Sequence, residues 1–263
     1  MQTRYTQEVA KFDKKDGILA ICVFLAFLPL IGFFPLVLSM MPLPDIAHAR
    51  IVSLAYMVLL AFGVLIVVRA RKQKLSGIGF HKENLVKGIV LGLLFCLIPI
   101  IFGAIIPGIL HGFFEVSFAS LTLTLITTFI FAASEDVISV GFIQTRLYGF
   151  IKSHFLAIFV GSLLFALMHI IPWIFMGRLD ITQPVDILFQ VIRWSAMHFV
   201  FVAVFKKYHS LVPVFILHTV NNFTNAFSYS STTFANISVT ILVLAACFLY
   251  WQTHKADKKA LTR

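Results

Sequence analysis

A chain of 263 residues that is 60% hydrophobic and only 12% charged is not a soluble globular protein. Its net charge of +10 is divided into short basic clusters between apolar runs. That pattern excludes a basic face for nucleic acid and matches a membrane protein.

Eight apolar segments of membrane-crossing length follow one another. The first is Gly17–Met41, 25 residues without a charge. Ala47, His48 and Ala49 behind it resemble a signal-peptidase site. The apolar core of a signal peptide is only about 7–15 residues, so this segment is expected to remain as a first transmembrane helix. A short loop with Pro42 and Pro44 leads to the second span, Ile51–Val68. The third is Val86–Leu110, and the fourth starts near Val116 and contains Glu135 and Asp136. The fifth is His154–Met176, the sixth Ile187–Phe205, the seventh Leu211–Phe227 and the eighth Phe234–Trp251. Each must be helical, because hydrocarbon offers no partner for a free backbone group. Cys22, Cys96 and Cys247 all lie within such segments and read as packing residues. The fold class is therefore all-α, a polytopic membrane bundle of about eight transmembrane helices in one embedded domain over 1–263.

The basic residues orient this bundle. With the N-terminus in the cytoplasm and the spans alternating, 18 of the 21 Lys and Arg fall on cytoplasmic pieces. The outer loops hold only Arg50 and Arg178, and Arg193 lies inside the sixth span. Both termini and the Arg69–Lys87 loop are thus expected in the cytoplasm of a protein of the cell membrane.

Most acids lie in polar tails or loops, or beside them: Glu8, Asp13, Asp16, Asp45, Glu83, Glu115, Asp180, Asp186 and Asp257. Glu135 and Asp136 instead end a long apolar and hydroxyl run. A carboxylate at bilayer depth costs about 2.5–3.5 kcal/mol even on lenient scales. Neighbours on a helix point about 100° apart, so one acid can face a reaction centre while the other supports it. Taken alone, the pair fits an interfacial acid cluster as well as a general base. His169 is followed by Pro172 and Trp173 and taken alone fits an interfacial side chain. His218 and Asn222 are four apart and share a helix face, with Asn221 and Asn225 adding polarity. Arg193 and His198 fit either a cavity shared with them or a structural pair, and the structural pair is the favoured reading. Together, a Glu, two His and an Asn around a water make a hydrolytic set. The Glu takes the proton, one His aligns the water, and the remaining donors meet the oxyanion.

These motifs resemble the CAAX protease and bacteriocin-processing family of intramembrane proteases, relatives of the endopeptidase that trims prenylated CAAX proteins. That family carries Glu-Glu-x-x-x-Arg, Phe-x-x-x-His and His-x-x-x-Asn. Here the first reads Glu135, Asp136 and Val140, the second Phe165 and His169, the third His218 and Asn222. Gly141–Leu147 and the Ser210-Leu211 turn extend the likeness, which covers 75–227. The first motif departs twice, at Asp136 and Val140.

The resemblance implies a glutamate-activated water and a peptide or membrane-protein substrate held within the lipid bilayer. Glu135 would be the base, Asp136 its support, His169 the water-aligning partner, and His218 with Asn222 the oxyanion donors. No cofactor is required on this reading; zinc, if bound, would sit on Glu135, His169 and His218. The departures keep a second reading open, an inactive relative acting as a membrane scaffold, immunity or regulatory protein. A small transporter is disfavoured, since no repeat is visible.

Overall fold

A computed structural model describes residues 3–41, 46–113, 117–224 and 232–261. The loop at Pro42 and Pro44, the start of the fourth span at Val116, and Asn225 with the end of the seventh span at Phe227 lie outside them. Among the described residues there is no β-strand, and the chain forms the all-α membrane bundle that its apolar runs require.

The helices are α1 (Arg4–Val9), α2 (Lys14–Met40), α3 (Ile46–Ala70), α4 (Leu85–His111), α5 (Phe118–Phe150), α6 (His154–Phe175), α7 (Pro184–Tyr208), α8 (Val212–Thr224) and α9 (Thr232–Leu261). Six of them, α3 to α7 and α9, are long and apolar enough to cross a bilayer. Helix α2, with 27 residues, is also long enough to cross. The described part of the seventh span, α8, has only 13 residues. At 1.5 Å per residue it rises about 20 Å, against about 30 Å of hydrocarbon.

Large apolar side chains point outward along the six membrane-crossing helices, among them Leu59 and Phe62 on α3, Leu93 and Leu97 on α4, Phe155 and Phe159 on α6, and Leu188 and Ile192 on α7. In water such a surface would be an aggregation site; against acyl chains it is the ordinary exterior.

Two helices contain wide π turns. In α4 the turn is Pro99–Ile105, where proline removes a backbone donor and crowds the preceding turn. In α5 it is Val137–Gln144, immediately after the acid pair. Helix α8 packs closely on α4, because a Cβ at Gly92 would stand 3.0 Å from the Pro213 backbone. A side chain there would push the two helices apart.

One end of the bundle is tied together by polar groups. Thr3 N and Thr6 Oγ1 donate to Asp257 at 2.7 and 2.8 Å, joining the N-terminal segment to α9. Arg4 pairs with Glu83, Asp16 accepts from Arg71 and Gln73, and Gln73 accepts from the buried Arg146. Tyr5 is fully buried here against Tyr148 and Phe205. Arg178 lies past the opposite end of α6. The basic residues assigned to the cytoplasm that these contacts involve thus share one face. Cysteines introduced at Lys72 and Arg178 are expected to label from opposite sides of the membrane, and same-side labelling would overturn the span order.

His209 belongs to this polar end. It is buried, its Nε2 faces the Ser76 carbonyl at 2.9 Å, and its Nδ1 has no partner. A carbonyl only accepts, so the neutral ring carries its proton on Nε2. Burial pushes its pKa down to about 4. The unfolded chain, titrating near 6.5, binds a proton that the folded chain refuses. Stability is therefore complete above about pH 6.5 and is lost progressively down to about pH 4, by roughly 3 kcal/mol. Thermal unfolding in detergent across that range should show the loss. His209→Asn, which tolerates the left-handed backbone at φ 52°, should flatten it.

Candidate active site

Helix α5 is built to carry acids through hydrocarbon. Ser117 caps its start by accepting from Ser120 N. Its hydroxyls turn back onto carbonyls one turn earlier: Thr122 on Phe118, Thr127 on Leu123, Ser134 on Ile130, Ser139 on Glu135 and Thr145 on Gly141. None of these needs water. The carboxyl groups are the exception, since no group on their own helix satisfies them.

Their adjacency sends them to different neighbours. Glu135 meets α6, with His169 Nε2 standing 3.0 Å from its Oε1. This is ion-pair distance but off the line of a ring N–H, so Oε1 makes no hydrogen bond. Asp136 meets α8 instead, and its Oδ1 accepts from His218 Nδ1 at 3.0 Å. The side chains of Asp136 and His218 are 0% and 2% exposed, and Asp136 Oδ2 has no partner.

His169 is held on three sides. Its Nδ1 faces the Phe165 carbonyl at 3.0 Å and must carry a hydrogen, since that oxygen only accepts. Its ring lies flat against Trp194, centroids 3.9 Å apart and planes 17° from parallel, and tilts against Phe165 at 4.6 Å. These contacts leave Nε2 as the working nitrogen. His218 is held in the same manner, by Asp136 on Nδ1 and by Phe201 stacked 4.6 Å away.

Glu135, His169 and Asn222 open on one cavity of about 480 Å³. Tyr56 and Met57 of α3, Phe131 of α5, Met168 and Trp173 of α6 and Trp194 of α7 make the rest of its wall mostly apolar. His218, one turn before Asn222, is not on that wall; it stands behind with Asp136. The geometry thus brings together a carboxylate, an imidazole and an amide at one surface, with a second His–Asp pair buried beneath them.

Val140, where the resemblance leads one to look for an arginine, is fully buried. Arg146 does not replace it. Its guanidinium donates to the Gly141 carbonyl, Thr145 and Gln73, and lies over the rings of Phe12 and Phe142. The pairing expected between Arg193 and His198 is not formed; His198 Nδ1 stands 3.2 Å from Ser162 Oγ. Trp194 was not singled out in the sequence, although its four-residue spacing from His198 places both on one face of α7.

The donors do not fit a zinc ion. Among the described residues no three His, Cys, Asp or Glu side chains converge as a metal site. The His218 ring is absent from the cavity that Glu135 and His169 share.

The family model described as Rce1-like, type II CAAX prenyl endopeptidase Rce1-like, matches residues 117–224. That stretch runs from the cap of α5 to the end of α8 and carries Glu135, Asp136, His169, His218 and Asn222. No curated protein and no solved structure matches the chain.

Proposed function

From an Rce1-like domain at residues 117–224, we propose that the protein is an intramembrane peptidase that hydrolyses a peptide bond in a membrane-associated or hydrophobic substrate. The observation that carries this reading is the Glu135–His169 pair, 3.0 Å apart at the wall of a largely apolar cavity at membrane depth. A peptide with apolar side chains fills such a cavity, while water reaches the carboxylate only at its polar edge.

In this mechanism Glu135 takes a proton from a water held between its free oxygen and His169 Nε2. The hydroxide attacks the carbonyl carbon, and Glu135 returns the proton to the leaving nitrogen. The Asn222 amide donates to the oxyanion, and His218, one turn deeper behind the wall, ties that stretch of α8 to Asp136. Asp136 fixes the His218 ring behind the cavity wall, one turn before Asn222. The amphiphilic walls suit cleavage near the membrane boundary, with the termini and the Arg69–Lys87 loop in the cytoplasm, in the cell membrane.

A second reading is favoured by one observation. Arg146 is committed to Gly141, Thr145 and Gln73, and among the described residues no arginine pairs with Glu135 or Asp136. A relative that lost turnover would keep the cavity as a binding site, a membrane scaffold, immunity or regulatory protein. Removing the carboxylate at position 135 and following both peptide cleavage and the cellular phenotype separates the two readings.

A further inference from the structure

A separate cavity, of about 420 Å³, opens at the polar end of the bundle, between α1 and the short helical turn Leu75–Ile78 that follows α3. Its wall includes Arg4, Glu8, Lys11, Phe12, Lys74 and Ser76. These residues come before α2 begins at Lys14 or after α3 ends at Ala70. The cavity therefore lies just outside the apolar spans, at the level of a bilayer's headgroups.

Its charges do not cancel. Lys11 Nζ donates to Glu8 at 2.8 Å, which makes that pair neutral. Arg4 pairs with Glu83, whose side chain is 71% exposed, and Arg4 Nε is buried without a partner. Asp16, farther in, accepts from Arg71 and Gln73. Each of these acids is thus already answered. Among the described residues, the side chains of Lys74 and Ser76 make no hydrogen bond or ion pair. Arg146 is buried behind the wall, its guanidinium 4.3 Å from the centre of the Phe12 ring, and its Nε is also without a partner. Its hydrogen bonds go to a carbonyl, a hydroxyl and an amide oxygen, so its charge meets no carboxylate. Lys74 and Arg146 are left as surplus cations, with Arg4 Nε and the Ser76 hydroxyl as unused donors. That is the complement of an anion.

The volume equals about fourteen waters at their liquid share of roughly 30 Å³ each. A bare phosphate ion fills a small part of such a space, whereas a glycerophosphate headgroup occupies it and leaves its acyl chains to the hydrocarbon beside α2 and α3. We infer that this cavity binds the phosphate headgroup of an anionic phospholipid, through Lys74, Arg4 and Ser76, with the charge of Arg146 behind them. On the orientation proposed above, the lipid belongs to the cytoplasmic leaflet. The site is independent of hydrolysis at Glu135. A soluble phosphate has the same chemistry, and the experiment separates the two sources.

The test uses the full chain in neutral detergent, titrated with dioctanoyl phosphatidylglycerol or dioctanoyl phosphatidylcholine and read by native mass spectrometry as lipid-bound protein. The anionic lipid is expected to bind at least about tenfold more tightly, since each cation near an anionic surface contributes about fivefold. Lys74→Gln, at an exposed and unpaired position, should weaken phosphatidylglycerol about fivefold and leave phosphatidylcholine unchanged. Lys74→Glu should abolish the preference. Lys152→Gln removes an exposed cation that is not on this wall and should change neither lipid. Equal binding of the two lipids, or an equal loss from Lys74→Gln and Lys152→Gln, overturns the site, because surface charge in general would then account for the binding. Displacement of phosphatidylglycerol by inorganic phosphate at a comparable concentration overturns the lipid as the ligand and assigns a soluble phosphate. None of these measurements requires peptide cleavage, so their outcome and that of the peptidase reading stay distinct.

Discussion

Glu135→Gln is expected to lower peptide cleavage by at least about 10²-fold, the low end for a lost general base. The substitution keeps the shape and the hydrogen-bonding capacity of the side chain and removes only its basicity. Glu135 is 4% exposed, and a neutral amide is easier to bury than a carboxylate, so folding should be preserved. Binding of an apolar peptide should change little, since the cavity wall is otherwise untouched. The measurement is turnover of a hydrophobic peptide in proteoliposomes, with a melting curve for each protein. A variant that folds, binds and cleaves like wild type would sink the role of Glu135. A variant that leaves the cellular phenotype intact would show that the protein acts by binding.

The second large effect concerns stability. Asp136 is 0% exposed, and His218 is the partner that its Oδ1 has. His218→Ala leaves a carboxylate enclosed with neither oxygen satisfied, and breaking a buried pair in this way costs about 3–5 kcal/mol. For a chain of this size that is a drop in Tm on the order of 10 °C. Asp136→Asn combined with His218→Ala should recover much of the loss, because the stranded group is then neutral. If the single and the double variant melt alike, Asp136 and His218 are not a coupled pair. Asn222→Ala, on the same helix but on the cavity wall, should reduce turnover with a smaller change in Tm.

How far the site could be read in advance depended on the physics of each residue. Glu135 and Asp136 stood out because hydrocarbon penalises a carboxylate, and His169, His218 and Asn222 because their spacing repeats along a helix face. The helices themselves followed from the cost of an unpaired backbone group. Partner choice was not legible. Adjacency says only that the two acids diverge, and the packing of α6 and α8 against α5 decides that Glu135 takes His169 and Asp136 takes His218. The wide turn in α4 is marked by Pro99, whereas Val137–Gln144 contains no proline to mark the one in α5. Trp194 was invisible for a related reason, since its stack on His169 joins residues on two helices. The tie between Thr3 and Asp257 spans 254 positions, and no local pattern announces it.

The pairing of the acids also bears on how the chain enters the bilayer. Glu135 and Asp136 are synthesised before His169 and before His218, so α5 emerges with two carboxyl groups and neither of their partners. Its mean hydropathy, 1.6, is the lowest of the six spans. Each unpaired acid at the centre of a helix opposes insertion by about 2.5–3.5 kcal/mol. Alone, α5 is therefore a reluctant passenger, better placed at the lipid surface or in the insertion machinery than in the acyl chains. Only when α6 has been made can Glu135 be carried inward beside His169, and only after α8 can Asp136 follow. The side chains to which hydrolysis is here assigned by proposal thus impose an order of assembly, in which the helix that carries the acids settles after helices made later.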